Sequence, residues 1–186
     1  MLLLAAVREE LGDLDGEVVG IGPVTAAARA AAILERKRPD TVILLGTAGA
    51  YPGGPPVMSV IVGRNYGWSY GVAAMGLGYV PRPPAPVPGD EALLALLPAL
   101  PRHEVLTTGA VTTDLTLARR LSDGFSVEHL EAFGVAIACQ HAGVPFVAVL
   151  GISNLVGPDA HAQWLTNRDP AQAAARDAVR HLLSSP

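Results

Sequence analysis

The residues with chemical potential fall into a few groups. Arg8, Glu9 and Glu10 follow directly on the apolar stretch from Met1 to Val7, and Glu128, His129 and Glu131 precede a run of small and apolar residues, Ala132 to Cys139. The second group reads as the opening of a helix over residues 127–141, where the helix dipole favours carboxylates, so a charged first turn accounts for it without a ligand. His129 is read there as a helix-start residue ahead of a ligand contact. A metal site needs His or Cys at ligand spacing; neither a His-Glu-x-x-His pair nor paired Cys is present, and no metal is expected. Two glycine segments could let a ligand approach the backbone. Gly20-Ile-Gly-Pro-Val-Thr25 follows a strand and opens a helix, but Thr25 stands where a dinucleotide-binding turn needs Gly or Ala, and Asp40 precedes its strand instead of ending it. No nicotinamide cofactor is expected. Gly46-Thr-Ala-Gly-Ala50 is expected to turn at the end of the strongest strand, and it lacks the Gly-Lys-Ser/Thr ending of a nucleoside-triphosphate loop. With Thr47 and free backbone N–H groups as donors, it fits a ligand site and a plain tight turn equally well. Ile152-Ser-Asn154 closes another uncharged strand with a polar pair at its carboxyl end, where open α/β sheets meet their ligands, or where a strand simply exits.

Short apolar runs alternate with helical patterns along the chain, the rhythm of an α/β domain with a largely parallel sheet. Strands are expected at residues 2–7, 17–21, 41–45, 57–62, 104–108 and 145–152, several of them almost purely apolar, as strands covered on both faces must be. Helices are expected at residues 24–37, 90–97, 115–121, 127–141 and 170–183. Asp169 can cap the last of these with Pro170 at its first position, and Asp114 can cap the helix at 115. Residues 81–89, with five Pro in nine, read as an extended surface loop inserted within a single domain spanning 1–186.

The 186 residues are half hydrophobic and 16 % charged, enough apolar content to exclude intrinsic disorder. A net charge of −4 argues against a nucleic-acid binder that works by neutralising phosphates. The uncharged stretches from Thr41 to Gly63 and from His141 to Pro158 are interrupted by Gly and Pro too often to span a bilayer as helices. Cys139 is the only cysteine, which excludes an internal disulfide scaffold; the apolar start lacks a basic lead and is read as a first strand, unlike a signal peptide, and a reducing cytoplasm is expected.

Taken in order, Ala6-Val-Arg-Glu-Glu10, Gly20-Ile-Gly-Pro-Val-Thr-Ala-Ala27, Gly46-Thr-Ala-Gly-Ala50, Val127-Glu-His-Leu-Glu-Ala132 and Val144-Pro-Phe-Val with Ile152-Ser-Asn154 resemble the purine nucleoside phosphorylase and nucleosidase family over most of the chain. The resemblance implies one α/β domain with a twisted mixed sheet flanked by helices, assembled as a homo-oligomer, that breaks the N-glycosidic bond of a purine nucleoside without cofactor or metal. That reaction builds positive charge on the ribose and negative charge on the purine, so it needs anions near the sugar and donors near the base. By the same resemblance, Glu131 holds the ribose hydroxyls with Leu130 against the sugar, and Glu10 activates the attacking water. Thr47, Ala48 and Gly49 lie by sugar and base, and Thr112 and Thr113 line the purine.

Position 154 separates the branches of that family. The methylthioadenosine/adenosylhomocysteine nucleosidases have a protonatable Asp there, whereas Asn154 can only donate its amide hydrogen, to N7 or O6 of a 6-oxopurine. Leu44 stands where bacterial phosphorylases carry a phosphate-binding Arg, which implies water as nucleophile; Leu150 stands where relatives commonly have Arg. The chain is also shorter than its relatives between the first strand and Gly20. The run Gly151-Ile-Ser-Asn-Leu-Val-Gly157 followed by Trp164 is similar to the futalosine-hydrolysing branch, which releases hypoxanthine from futalosine in the alternative menaquinone pathway. Trp164 either covers the mouth of the pocket or packs in the core. An adenosine-type nucleosidase, a phosphorylase and a non-catalytic purine-binding relative are the competing readings.

Overall fold

A computed structural model describes residues 1–184. In chain order the elements are β1 (Leu2–Ala5), α1 (Arg8–Leu11), β2 (Glu17–Val18), α2 (Pro23–Lys37), β3 (Val42–Ala50), β4 (Val60–Trp68), α3 (Gly71–Ala74), β5 (Val87–Pro88), α4 (Glu91–Ala95), β6 (Arg102–Thr107), α5 (Leu115–Leu121), β7 (Val127–His129), α6 (Ala132–Ala142), β8 (Phe146–Leu155) and α7 (Ala160–Ser184). The first halves of β3 and β8 are apolar because both of their faces are covered. On one face Leu4, Leu44 and Ala148 pack with Ala26, Ala30 and Ile33 of α2 and Val135 and Cys139 of α6. On the other, Leu3, Ile43, Leu45, Val147 and Val149 pack with Leu93 and Leu94 of α4 and Ala175 and Val179 of α7. The buried stripe of α2, Ala26, Ala30, Ile33 and Leu34, has the spacing of one helix face, and Pro23 at its start gives up an N–H that no turn would use.

The sheet is mixed, as the resemblance implies, and five of its strands close on themselves. β3 pairs with β8 in parallel, β8 with β4 antiparallel, β4 with β6 and β6 with β7 in parallel, and β7 returns antiparallel to β3. β1 lies parallel to the first half of β3 and carries β2 outside it, and β5 edges β4.

Several local expectations give way to long-range pairing. The glycine segment at 46–50 is no turn: β3 continues through it to Ala50, matched along its length by β8, and residue 153 is an extra residue in β8, because Ala48 faces Ile152 and Gly49 faces Asn154. Asn154 thus lies near the carboxyl end of β8, as expected, with one strand residue after it. Residues 127–129 form β7 instead of a helix start, because Glu128 pairs with both Gly49 and Leu106, and the helix begins only at Ala132. α7 begins ten residues before Pro170, so Asp169 caps nothing. That helix survives the N–H missing at Pro170 because it is packed along β8 and β3, which overrides the local break. β4 runs on past residue 62 to Trp68, with a register irregularity near the charged Arg64. The Pro-rich loop contributes Val87–Pro88 to the sheet edge, where a missing N–H does no harm. The expected cap at Asp114 is present, and Asp90 caps α4 in the same way instead of being its first residue, each carboxylate accepting an N–H three residues on.

α7 lies so close to β8 that a Cβ on Gly151 would sit 2.2 Å from the Ala171 carbonyl oxygen. Backbone cannot give way as a flexible side chain can, so Gly151→Ala is expected to cost about 3 kcal/mol, the upper end of overpacking penalties. Urea unfolding measures it, and an unchanged midpoint would show that α7 is free to shift.

Candidate active site

Along one edge of β3 the partner changes. Leu45 is the last residue matched by β1, and Gly49 is the first matched by β7. Between them residues 46–48 have no strand beside them on that side, and a cavity of about 580 Å³ opens there. A change of strand partner is where α/β sheets leave room for ligands.

Glu10 closes the sheet side of this gap. Its Oε1 accepts the Thr47 N–H at 3.3 Å, and Oε2 accepts the N–H groups of Ala6 at 3.0 Å and Val7 at 3.3 Å, where β1 hands over to α1. The carboxyl is buried, and burial, followed by the nearby Glu131 carboxylate, raises its pKa to about 7 against the lowering pull of the three amides. A carboxyl that titrates near neutrality is suited to taking a proton from water.

The turn from β7 into α6 supplies the opposite side. Glu131 stands at the start of α6, buried, with Oε1 accepting the Gly22 N–H at 2.8 Å, so the loop before α2 holds it in place. Leu130 lines the cavity beside it. Glu128 also reaches the wall, but its two oxygens are taken by the Tyr51 hydroxyl and the Thr112 N–H, each at 2.9 Å. Burial and the Glu128 carboxylate push the Tyr51 hydroxyl above its ordinary range, so it stays a donor to that carboxylate. His129 is not a surface residue at a helix start; it is buried on the cavity wall, and burial outweighs Glu131 to hold its pKa below the ordinary value.

The far end of the gap is made by β8. Ser153, the extra residue, donates its hydroxyl to Asn154 Oδ1 at 2.9 Å, and Asn154 Nδ2 donates to the Leu155 carbonyl at 3.1 Å. This orients the side chain and leaves the second hydrogen of Nδ2 for a ligand. A bulge residue commonly re-aims its neighbour's side chain, and here it does so at a cavity.

Of the residues singled out in the sequence, Glu10, Thr47, Ala48, Gly49, Leu130, Glu131 and Asn154 line this one cavity. Thr112 and Thr113 do not: Thr112 is buried behind the wall on Glu128, Thr113 is exposed, and Val111 takes the lining position. Sequence reasoning left Trp164 between the pocket mouth and the core and did not see that α7 builds a wall of the cavity. Trp164 donates from Nε1 to Thr47 Oγ1 at 3.2 Å, His161 stacks on it, and the Arg168 guanidinium lies 5.0 Å over its ring. Their helical spacing was the available signal, hidden by starting the helix at Pro170. Among the described residues lining the cavity, Arg168 is the sole Lys or Arg, against Glu9, Glu10, Glu128, Glu131 and Asp169. Arg64 is tied to Glu104 elsewhere, and Arg8 to the carbonyls of Leu14 and Gly16.

Residues 16–185 match the Phosphorylase superfamily, and the chain belongs to it. It is 36 % identical over 182 residues to the futalosine hydrolase of Thermus thermophilus, covering 89 % of this chain and 79 % of that one. It is also 29 % identical over 181 residues to the 5'-methylthioadenosine/S-adenosylhomocysteine nucleosidase of a Geobacillus species, covering 89 % and 78 %. The nucleosidase of Neisseria meningitidis in complex with methylthio-immucillin-A shares the fold, with a TM-score of 0.84 at 19 % identity over 100 % of this chain and 98 % of that one. The futalosine hydrolase of Helicobacter pylori shares it too, with a TM-score of 0.84 at 15 % identity over 97 % and 95 %. These relatives are a futalosine hydrolase and methylthioadenosine/adenosylhomocysteine nucleosidases.

The state of Glu10 has a thermodynamic signature. Below the ordinary carboxyl pKa both folded and unfolded chains hold the proton; between pH 4.5 and about 7 the unfolded chain has released it while the folded chain keeps it, so stability falls as pH rises through this window. The loss is on the order of 3 kcal/mol. Glu10→Gln should lack this slope in urea titrations run from pH 4.5 to 8, and a variant with the wild-type slope would place the raised pKa elsewhere.

Proposed function

We propose that this protein hydrolyses the N-glycosidic bond of a 6-oxopurine nucleoside, with futalosine as substrate and hypoxanthine as the released base. The observation that carries the reading is the spacing of two groups along β3. Glu10 Oε1 lies beside Gly46 and Asn154 Nδ2 beside Gly49, three residues further along the strand. At the rise of a strand that is about 10 Å, the span from a water attacking C1′ of the sugar, through the glycosidic carbon, to a donor beyond N7 of the purine.

In this reading Glu131 and Leu130 hold the ribose, Thr47, Ala48 and Gly49 form the backing strand, and Glu10 takes a proton from the water as its oxygen bonds to C1′. The C1′–N9 electron pair goes to the purine. Asn154 donates to N7 or O6 of the leaving anion, which then takes a proton from solvent, because an amide cannot supply one. Thr112 acts on the base side only through the wall, by fixing Glu128, and Thr113 takes no direct part. The acidic lining with a lone Arg168 supports water and not phosphate as nucleophile.

A second reading, hydrolysis of methylthioadenosine or adenosylhomocysteine, is favoured by the similarity to the Geobacillus nucleosidase. It requires Asn154 to accept a 6-aminopurine, which an amide without a transferable proton serves less well as a leaving-group site. We read the protein as one cytoplasmic domain that forms a homo-oligomer. Exposed Tyr70, Val72, Met75, Leu77 and Tyr79 after β4 support an apolar surface for a second copy. Among the described residues no helix is long and apolar enough to cross a membrane.

Hypoxanthine release from futalosine in phosphate-free buffer is expected to be rapid and unchanged by added phosphate, with inosine and methylthioadenosine poorer. Release that needs phosphate, or that favours methylthioadenosine, contradicts the reading. On the acid side kcat/KM should fall below about pH 7 as Glu10 takes up its proton. Glu10→Gln should lose about a thousandfold in kcat, and Asn154→Ala about a hundredfold while remaining folded. Wild-type turnover in either variant removes that residue from the chemistry.

A further inference from the structure

His129 holds a donor that neither the superfamily match nor the reading above uses. Both the Glu131 and Ala132 N–H groups point at its Nδ1, at 3.0 and 3.1 Å. Two amide donors need a lone pair on that nitrogen, so the ring proton sits on Nε2. Glu131 Oε2 also approaches Nδ1, at 3.3 Å, a contact that would call for a proton there; two amides outweigh one longer approach, and burial keeps the ring neutral. The tautomer is therefore set by the start of α6. Among the described residues Nε2 has no hydrogen-bond partner, although the side chain is only 3 % exposed and lines the cavity.

Nε2 lies beside Gly46. A Cβ on that residue would lie 3.0 Å from His129 Nε2, 3.3 Å from Glu10 Oε1 and 3.6 Å from Leu150 Cδ2. Beside Gly46 one N–H donor, one carboxylate oxygen and one apolar carbon thus come together, and the donor and the carboxylate both belong to residues that line the cavity. Leu150 can offer nothing polar, so the donor on this side comes from His129.

We propose that His129 Nε2–H holds the oxygen of the attacking water against Glu10. The water accepts one hydrogen bond from Nε2 and donates one to Glu10 Oε1, and its remaining lone pair faces the sugar. As its oxygen bonds to C1′, the proton on the Glu10 side passes to Oε1 and the C1′–N9 pair leaves with the purine; His129 keeps its own proton throughout. This rests on the hydrolytic reading above.

Two substitutions separate this role from a structural one. His129→Asn keeps an acceptor near the Nδ1 position for the two amides and lacks the reach of Nε2; His129→Gln places an amide donor where Nε2 stood. With futalosine in phosphate-free buffer, His129→Asn should lose about a hundredfold in kcat with KM and hypoxanthine binding little changed, the size of a lost transition-state donor. His129→Gln should recover to within about tenfold of wild type. A purely structural His129 predicts the reverse order, and His129→Asn at wild-type kcat, or His129→Gln no better than His129→Asn, overturns the proposal. A wild type that releases no hypoxanthine without phosphate refutes hydrolysis itself, which distinguishes the two failures.

Discussion

Between Leu45 and Gly49 one edge of β3 has no neighbouring strand, and the N–H of Thr47 on that edge is satisfied by the carboxylate of Glu10. An unpaired amide inside a sheet is costly, so this bond lets β1 stop short and β7 join late. Everything at the site follows from that gap. The carboxylate that closes it is bound at its other oxygen to the chain leaving β1, so α1 and the sheet are locked to the same group. The turn after β7 brings Glu131 and His129 to the other side, and the extra residue in β8 aims Asn154 at its far end.

Glu10 is under opposed demands. Three amides favour its charged form, while burial and Glu131 favour the neutral one, and the balance falls near neutrality. Without the amides the group would stay protonated and could accept nothing from water. Without Glu131 and burial it would be an ordinary carboxylate, ionised but weakly basic. The structural bond to Thr47 and the chemical readiness of the site are two consequences of one placement.

The sequence made the framework legible because the buried strands carry their own signature: β1, β3 and β8 are apolar on both faces, and α2 shows a clean stripe. Glu131, Glu10 and Asn154 were legible as a set only through the resemblance to the family, and the residues alone did not single them out. β7 was not legible, because three residues held by pairing with β3 and β6 leave no local period, and this hid the burial of His129. The glycine segment at 46–50 looked like a turn because small residues that permit a cavity resemble those that permit a bend. Asp169-Pro170 looked like a helix start, and packing against β8 and β3 carried α7 through it. With the helix start misplaced, Trp164 stayed undecided between the pocket mouth and the core, and Arg168 beside it went unseen.

The central claim is that the purine lies at the Asn154 end of the gap with its glycosidic nitrogen toward Glu10. A crystal structure with hypoxanthine bound tests it most directly. The account predicts Asn154 Nδ2 within hydrogen-bond distance of N7 or O6, and N9 directed along β3 toward Glu10 and Glu131. A base stacked against Trp164 with no contact to Asn154, or one turned with N9 away from Glu10, would contradict it.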